Sequence, residues 1–248
     1  MRPDSVVRVN PPDNVNVRID GFHALKHALR FGAAVFGAMT SDLPKLLEMA
    51  RVLAPDLLGW IDLHVTEVPL QVLRAQTDQL HSSNVVAWAA KPAYSAPPPG
   101  PAVLLEDPRH LGNLGAAIRV AAAAGAAGLA TIGASDPWHP VAVRTSAGLH
   151  FALPVTRFDS IDNVAQTFDR PLIGVDPDGE DLRTITIPAS VVLCFGTERA
   201  GLSADLLARC AQSVRLPMRP GVSSLNLATS VAVTLYHVAL SRGGVGLV

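Results

Sequence analysis

Five polar side chains of this 248-residue chain are placed where they could do chemistry: Asn113, Arg119, Glu198, Ser224 and Asn226. Arg119 stands in the otherwise Ala/Val/Ile stretch HLGNLGAAIRVAAAAG, and a charge there must be paired or must face a cleft. A guanidinium never gives up its proton, so its use is to donate hydrogen bonds to anionic oxygen. The plainer readings are a salt bridge to Glu198 or an exposed helix face. Asn113 lies six residues earlier, a helical spacing that puts the two on different faces, and it could be a simple N-cap. Glu198, in FGTERAGLS, either holds Arg119 or a substrate group, or complements the dipole of a following helix. Ser224 and Asn226 directly precede the last helix, where they either cap it or orient a ligand.

Three Gly- and Ser-rich segments could bring backbone close to a ligand: residues 174–179, 196–201 and 220–227. Each glycine also has the ordinary reading of turn chemistry. No Walker sequence and no G-x-G-x-x-G after a strand is present, so neither a P-loop nor a conventional dinucleotide fold is supported. His23, His27, His110, His139, His150 and His237 form no cluster at metal spacing, so no metal site is expected.

These residues need a scaffold, and the pattern supplies one. Residues 1–18 read as a flexible arm, with three prolines and no apolar period. A small α/β unit follows over residues 19–96. Its helices are expected at Phe22 to Leu29 (stopped by Gly32), after Ser41 or Asp42, and from Pro69 to Ala75. Its strands are expected at residues 33–39, near Leu63 to Val65, and at residues 84–89. The Pro-rich run of residues 97–101 is a stiff linker. Residues 102–248 then alternate strands with helices, among them one continuous helix AVRTSAGLHF, which predicts a parallel sheet covered on both faces. Val191 to Leu235 reads strand, Gly-bounded turn, short helix, strand, Pro/Gly/Ser loop, helix. Two polar loops following two buried strands would put a ligand at the carboxyl ends of those strands.

The chain resembles the SpoU/TrmH-type RNA methyltransferases of the SPOUT superfamily. Asn113, Gly115 and Arg119 match the family's Asn-x-Gly-x-x-x-Arg motif, residues 195–203 its second motif and residues 222–233 its third; DPWHPVAVRTSAG matches a further pattern. The resemblance covers roughly residues 100–242. It implies a SPOUT domain with a C-terminal trefoil knot, which chain-connection rules alone would never suggest. It also implies S-adenosylmethionine as cofactor, held by Gly196, Leu216 and Leu225 with Val175, Thr197 and Gly201 beside them. Transfer to a ribose 2′-hydroxyl follows, with Asn113, Arg119, Glu198, Ser224 and Asn226 in the active site. Ser230 and Thr229 are expected to be packing residues. Relatives use the matching Arg against the ribose-phosphate; here Arg119 is expected to bind the phosphate and stabilise the developing oxyanion, with the base undetermined. Arg144 is either an RNA contact or half of a structural ion pair. The resemblance further implies a homodimer, and an N-terminal unit similar to a ribosomal-protein-like RNA-binding domain.

Composition constrains the partners. The net charge is −1, with positive and negative side chains balanced along the chain, so an RNA surface must be a local patch. Two cysteines offer no disulfide framework, and Cys194 in an apolar run reads as a buried thiol. No signal peptide or membrane-spanning run is apparent, so a cytoplasmic protein without membrane association is expected. The leading expectation is ribosomal RNA as substrate. The alternatives are a transfer-RNA 2′-O-methyltransferase, or a non-catalytic RNA-binding or assembly protein on the same fold.

Overall fold

The computed structural model describes residues 16–94, 97–197 and 200–241. The chain divides into two compact units, Met1–Pro92 and Ala93–Val248.

The first unit is a four-stranded mixed sheet flanked by helices. Its elements are β1 (Asn16–Asp20), α1 (Phe22–Arg30), β2 (Val35–Thr40), α2 (Leu43–Leu53), a 3-10 turn (Pro55–Leu57), α3 (Leu58–His64), β3 (Val65–Glu67), α4 (Leu70–Arg74) and β4 (Val85–Ala90). The strand order is β1-β4-β2-β3, antiparallel except for the β2–β3 pair. Asp42 caps α2 by accepting from the Lys45 N–H at 3.0 Å. The α1 residues with helical spacing, Phe22, Leu25 and Ala28, are buried. Two expectations shift. The supposed arm lies outside the described residues up to residue 15, and its last three residues belong to β1. Leu63 is helical, because Ile61 anchors α3 and the Trp60 and His64 rings stack one turn apart, leaving the strand to start at Val65.

The second unit contains β5 (Pro101–Glu106), α5 (Leu111–Ala123), β6 (Gly128–Ile132), α6 (Pro140–Thr145), a 3-10 turn (Leu149–Ala152), β7 (Val155–Phe158), α7 (Ile161–Phe168), β8 (Leu172–Asp181), β9 (Val191–Phe195), α8 (Ala204–Arg209), β10 (Gln212–Arg215) and α9 (Leu227–Leu240). Six parallel strands run in the order β10-β8-β9-β5-β6-β7. β6 and β9 are buried at every residue, as a sheet covered on both faces requires. On one face Leu104, Ala130, Val192 and Cys194 pack against Ile161, Val164 and Phe168 of α7 and Leu206 of α8. Cys194 is the expected buried thiol; Cys210 is a second free thiol, partly buried. α5 packs against α6 and α9. Gly115 makes the α5–α6 approach possible, since a Cβ there would overlap Ala142 O and Thr145 Oγ1.

The linker is strapped to this unit. The Arg170 guanidinium donates to Pro97 O (3.3 Å), Pro98 O (2.5 Å) and Gly100 O (2.7 Å). The helix expected over AVRTSAGLHF is broken, because Ala147 (φ 55°) and Gly148 (φ 77°) are left-handed. Among the described residues no helix is long and apolar enough to cross a membrane.

Candidate functional site

β5, β6 and β7 step outward in one direction, whereas β8 starts on the far side of β9, so the winding reverses between β5 and β9. Reversal leaves a crevice at the carboxyl ends of the strands. The segments that leave β8, β9 and β10 there wall a cavity of about 390 Å³, large enough for a nucleoside-sized ligand.

The first wall is a surprise within a strand. Residues 174–179 read as a loop, yet β8 continues through them: Ser213 pairs with Gly174 and the next residue, Val214, pairs with Glu180. The residues between bulge out of the ladder and bring Val175, Asp176, Pro177 and Asp178 to the cavity. The Asp178 N–H donates to Asp176 Oδ1 at 3.0 Å, which fixes the turn.

The second wall follows β9. Thr197 and Gly201 exchange backbone hydrogen bonds of 3.0 and 3.1 Å, and Thr197 Oγ1 accepts from the Ala200 N–H at 3.0 Å. A Cβ on Gly196 would overlap the backbone of Gly201 and Leu202, so only glycine fits where this loop folds back. Ser203 then caps α8 and is itself held by Glu106 at the end of β5, through its N–H (2.7 Å) and its Oγ–H (2.5 Å). The third wall is the run from Leu216 to Ser230, contributing Leu216, Met218, Ser223, Ser224, Leu225, Leu227 and Ser230.

All six residues expected at a cofactor, Val175, Gly196, Thr197, Gly201, Leu216 and Leu225, line this one cavity, and Ser224 lines it with them. Asn226 does not line it. It is the N-cap of α9: its Oδ1 accepts from Ala228 N (2.9 Å) and Thr229 N (3.4 Å), while its Nδ2 donates to Asn113 Oδ1 at 2.9 Å. Asn113 is not a cap, since α5 begins at Leu111 with His110 before it; it sits inside the first turn, where its amide meets α9. Ser224 is likewise no cap. Arg119 is exposed, and among the described residues its guanidinium makes no ion pair or hydrogen bond. Glu198 lies outside the described residues.

Arg144 is half-buried and has no ion pair among the described residues. The rest of its motif builds a buried polar knot of side chains. His150 Nε2 donates to Pro137 O (2.7 Å), Ser146 Oγ lies 2.7 Å from His150 Nδ1, and Trp138 Nε1 donates to Val155 O (3.1 Å). Burial holds the His150 pKa down to about 4, against an opposing push from its bond to the Pro137 carbonyl.

Sequence reading placed Asp176, Asp178 and Ser223 only within ligand-approaching segments, without singling them out, and missed Phe195, Met218 and Ser230 as lining residues. Ser230, expected to be packing, faces the cavity, and Thr229 is exposed. The signal for the two acids was present in the turn sequence VDPDG directly after an apolar run. Among the described residues no cluster of His, Cys, Asp or Glu could hold a metal ion.

A doubly wound parallel sheet with its cavity at the carboxyl edge defines an α/β protein built to bind a small ligand there. The chain belongs to the SpoU rRNA methylase family, whose sequence model matches residues 100–236, and as a member it is an RNA methyltransferase. It is 32% identical over 231 residues to an uncharacterized tRNA/rRNA methyltransferase of Synechocystis sp., a match covering 88% of this chain and 82% of that one. It is 35% identical over 150 residues to the 23S rRNA (uridine(2479)-2′-O)-methyltransferase of Streptomyces viridochromogenes, covering 56% of this chain and only 52% of the relative. Its fold is similar to that of the SpoU methyltransferase AviRb of the same organism, solved with AdoMet: TM-score 0.79, 28% identity, 92% of this chain and 90% of the other.

Proposed function

We propose that the chain transfers a methyl group from S-adenosylmethionine to the 2′-hydroxyl of a ribose in RNA, with ribosomal RNA as the substrate. The observation that carries this reading is the convergence of Val175, Gly196, Thr197, Gly201, Leu216, Leu225 and Ser224, from three separate segments, on one cavity. Its lining suits the cofactor. Leu216, Leu225, Leu227 and Phe195 offer apolar surface for an adenine, the close-folded backbone around Gly196 and Gly201 can meet polar edges, and the Ser and Thr hydroxyls can serve the ribose. Solved relatives of this fold from S. viridochromogenes and Sinorhizobium meliloti carry AdoMet.

Bound there, S-adenosylmethionine supplies an activated methyl on a sulfonium, so the protein's task is mainly to place a ribose oxygen in line with it. Asn226 and Asn113, joined to each other, hold the edge of the site where α5 meets α9. Ser224 offers its hydroxyl on the cavity side. Arg119 and Arg144, each without an ion-pair partner among the described residues, take RNA phosphates. Arg119 also stabilises charge developing on the ribose oxygen, and Glu198 orients it. A guanidinium cannot be the base.

The N-terminal unit would select the RNA, and relatives named as acting on 23S ribosomal RNA favour that substrate class. A homodimer is supported by the last helix, where Val233, Tyr236 and Leu240 remain 44%, 38% and 68% exposed. We also assign the family's trefoil knot to the C-terminal segment of this unit. The test is transfer of labelled methyl from S-adenosylmethionine to total RNA from cells lacking the protein, followed by sizing and nucleoside digestion. A 2′-O-methylnucleoside in ribosomal RNA is the expected product. Label confined to transfer RNA would overturn the substrate class, and label on a base would overturn the chemistry.

A further inference from the structure

Among the described residues, the charges at the cavity are one-sided. Among its described lining residues the ionisable groups are Asp176 and Asp178, and no lysine, arginine or histidine accompanies them. Glu198 and Arg199 lie outside the described residues. The nearest described cations by sequence are occupied or stand outside the lining. Arg215 donates to Gly179 O (3.1 Å) and pairs with Asp181 (3.9 Å), and Arg183 also pairs with Asp181 (2.8 Å). Arg219 does not line the cavity.

The two acids are placed by an irregular piece of backbone. A regular β8 would pair straight through against β10 and point its side chains above and below the sheet. The bulge instead interrupts the ladder between Gly174 and Glu180 and turns Asp176 and Asp178 to the cavity. Asp176 is half-buried, and the Asp178 N–H fixes one of its oxygens, so the carboxylate is oriented, with the other oxygen left for a ligand.

We infer that Asp176, assisted by Asp178, makes this cavity select the sulfonium cofactor over its own product. This rests on the cavity being the S-adenosylmethionine site. The cofactor carries a sulfonium and an ammonium against one carboxylate, a net charge of plus one. After methyl transfer the sulfur is a neutral thioether and the net charge is zero. Everything else the cavity could recognise, adenine, ribose and the amino-acid tail, is common to both. An oriented, half-buried carboxylate at Asp176, with the exposed Asp178 beside it, therefore binds the two ligands unequally. The protein is charged with fresh cofactor even where product accumulates, and it releases product after each turnover.

Calorimetric titration of the whole protein with S-adenosylmethionine and with S-adenosylhomocysteine tests this without any RNA. For Asp176→Asn the amide keeps an oxygen to accept from the Asp178 N–H, so the turn is retained. Affinity for S-adenosylmethionine should fall by about tenfold, the scale of losing one close charge pair near a surface, with that for S-adenosylhomocysteine within about twofold of wild type. Asp176→Glu should recover most of the difference. Asp178→Asn, a change at an exposed residue, should shift the ratio the same way by less, and it carries the test should Asp176→Asn fail to melt like wild type. Added salt should erode the preference of the wild-type protein. An equal loss for both ligands would overturn the inference and make Asp176 a ribose contact; no change in the ratio would also overturn it. A wild-type protein that binds neither ligand would instead defeat the cofactor assignment itself.

Discussion

Asn226 Nδ2 donates to Asn113 Oδ1 at 2.9 Å, so the cap of the last helix is tied to the first turn of the helix that follows β5. One side chain thereby does two jobs, and the two can be separated. Asn226→Ala removes the cap bonds to Ala228 and Thr229 and should cost about 1 kcal/mol of stability, together with a large loss of methyl transfer. Asn226→Asp keeps an oxygen for the cap but replaces the donor to Asn113 by a second acceptor. It should melt near wild type and remain poorly active. Recovery of full activity along with the melting temperature would show that only the cap matters.

Arg119 tests the opposite separation. Its side chain is exposed and, among the described residues, unpaired. Removing it should alter stability by no more than about 0.5 kcal/mol. Arg119→Ala should abolish transfer to RNA while calorimetry finds cofactor affinity unchanged, and Arg119→Lys should restore little, because a point charge does not reproduce a planar fork of donors. Loss of cofactor binding in a normally folded Arg119→Ala protein would remove the residue from its RNA-facing role.

What was legible in the sequence, and what was not, divides along physical lines. The continuous apolar runs of β5, β6 and β9 have one stable use, as the covered interior of a parallel sheet, and the loops that follow such strands must sit at its carboxyl edge. Gly196 was legible as a turn, but the reason for it, contact with the backbone of Gly201 and Leu202, requires the folded loop. The bulge in β8 was read as a loop because Pro177 and Gly179 end most strands. Nothing in sequence order reveals that β10 resumes pairing beyond it. The alternative reading of Asn113 as an N-cap falls for a related reason. A cap is a local property, whereas its bond to Asn226 joins residues on two helices that only the tertiary fold brings together.

Gly196 gives a sharp packing prediction. Gly196→Ala should abolish measurable cofactor binding, since the added methyl displaces the Gly201–Leu202 backbone that walls the cavity. The fold should survive with a loss of about 1–3 kcal/mol, the usual cost of overpacking. The sheet beneath should keep its far-UV dichroism. Binding retained at wild-type strength would mean that this loop is not part of the cofactor site.

His150 sets the acid limit of the second unit. Its ring is fully enclosed beside Trp138, with Nε2 donating to Pro137 O and Ser146 Oγ against Nδ1, an arrangement that suits the neutral imidazole. Burial lowers its folded pKa from 6.5 to about 4, so between these values the unfolded chain takes up a proton that the folded chain refuses. Stability contributed by the neutral ring is therefore complete above pH 6.5 and drains away as pH falls toward 4. The full loss is on the order of 3 kcal/mol. Denaturant melts of the wild type should show this slope between pH 6.5 and 4. In His150→Asn the slope should flatten, because the substitute keeps polar atoms for Ser146 and Pro137 but has no proton to gain. An unchanged slope in that variant would remove His150 as the source of the acid sensitivity.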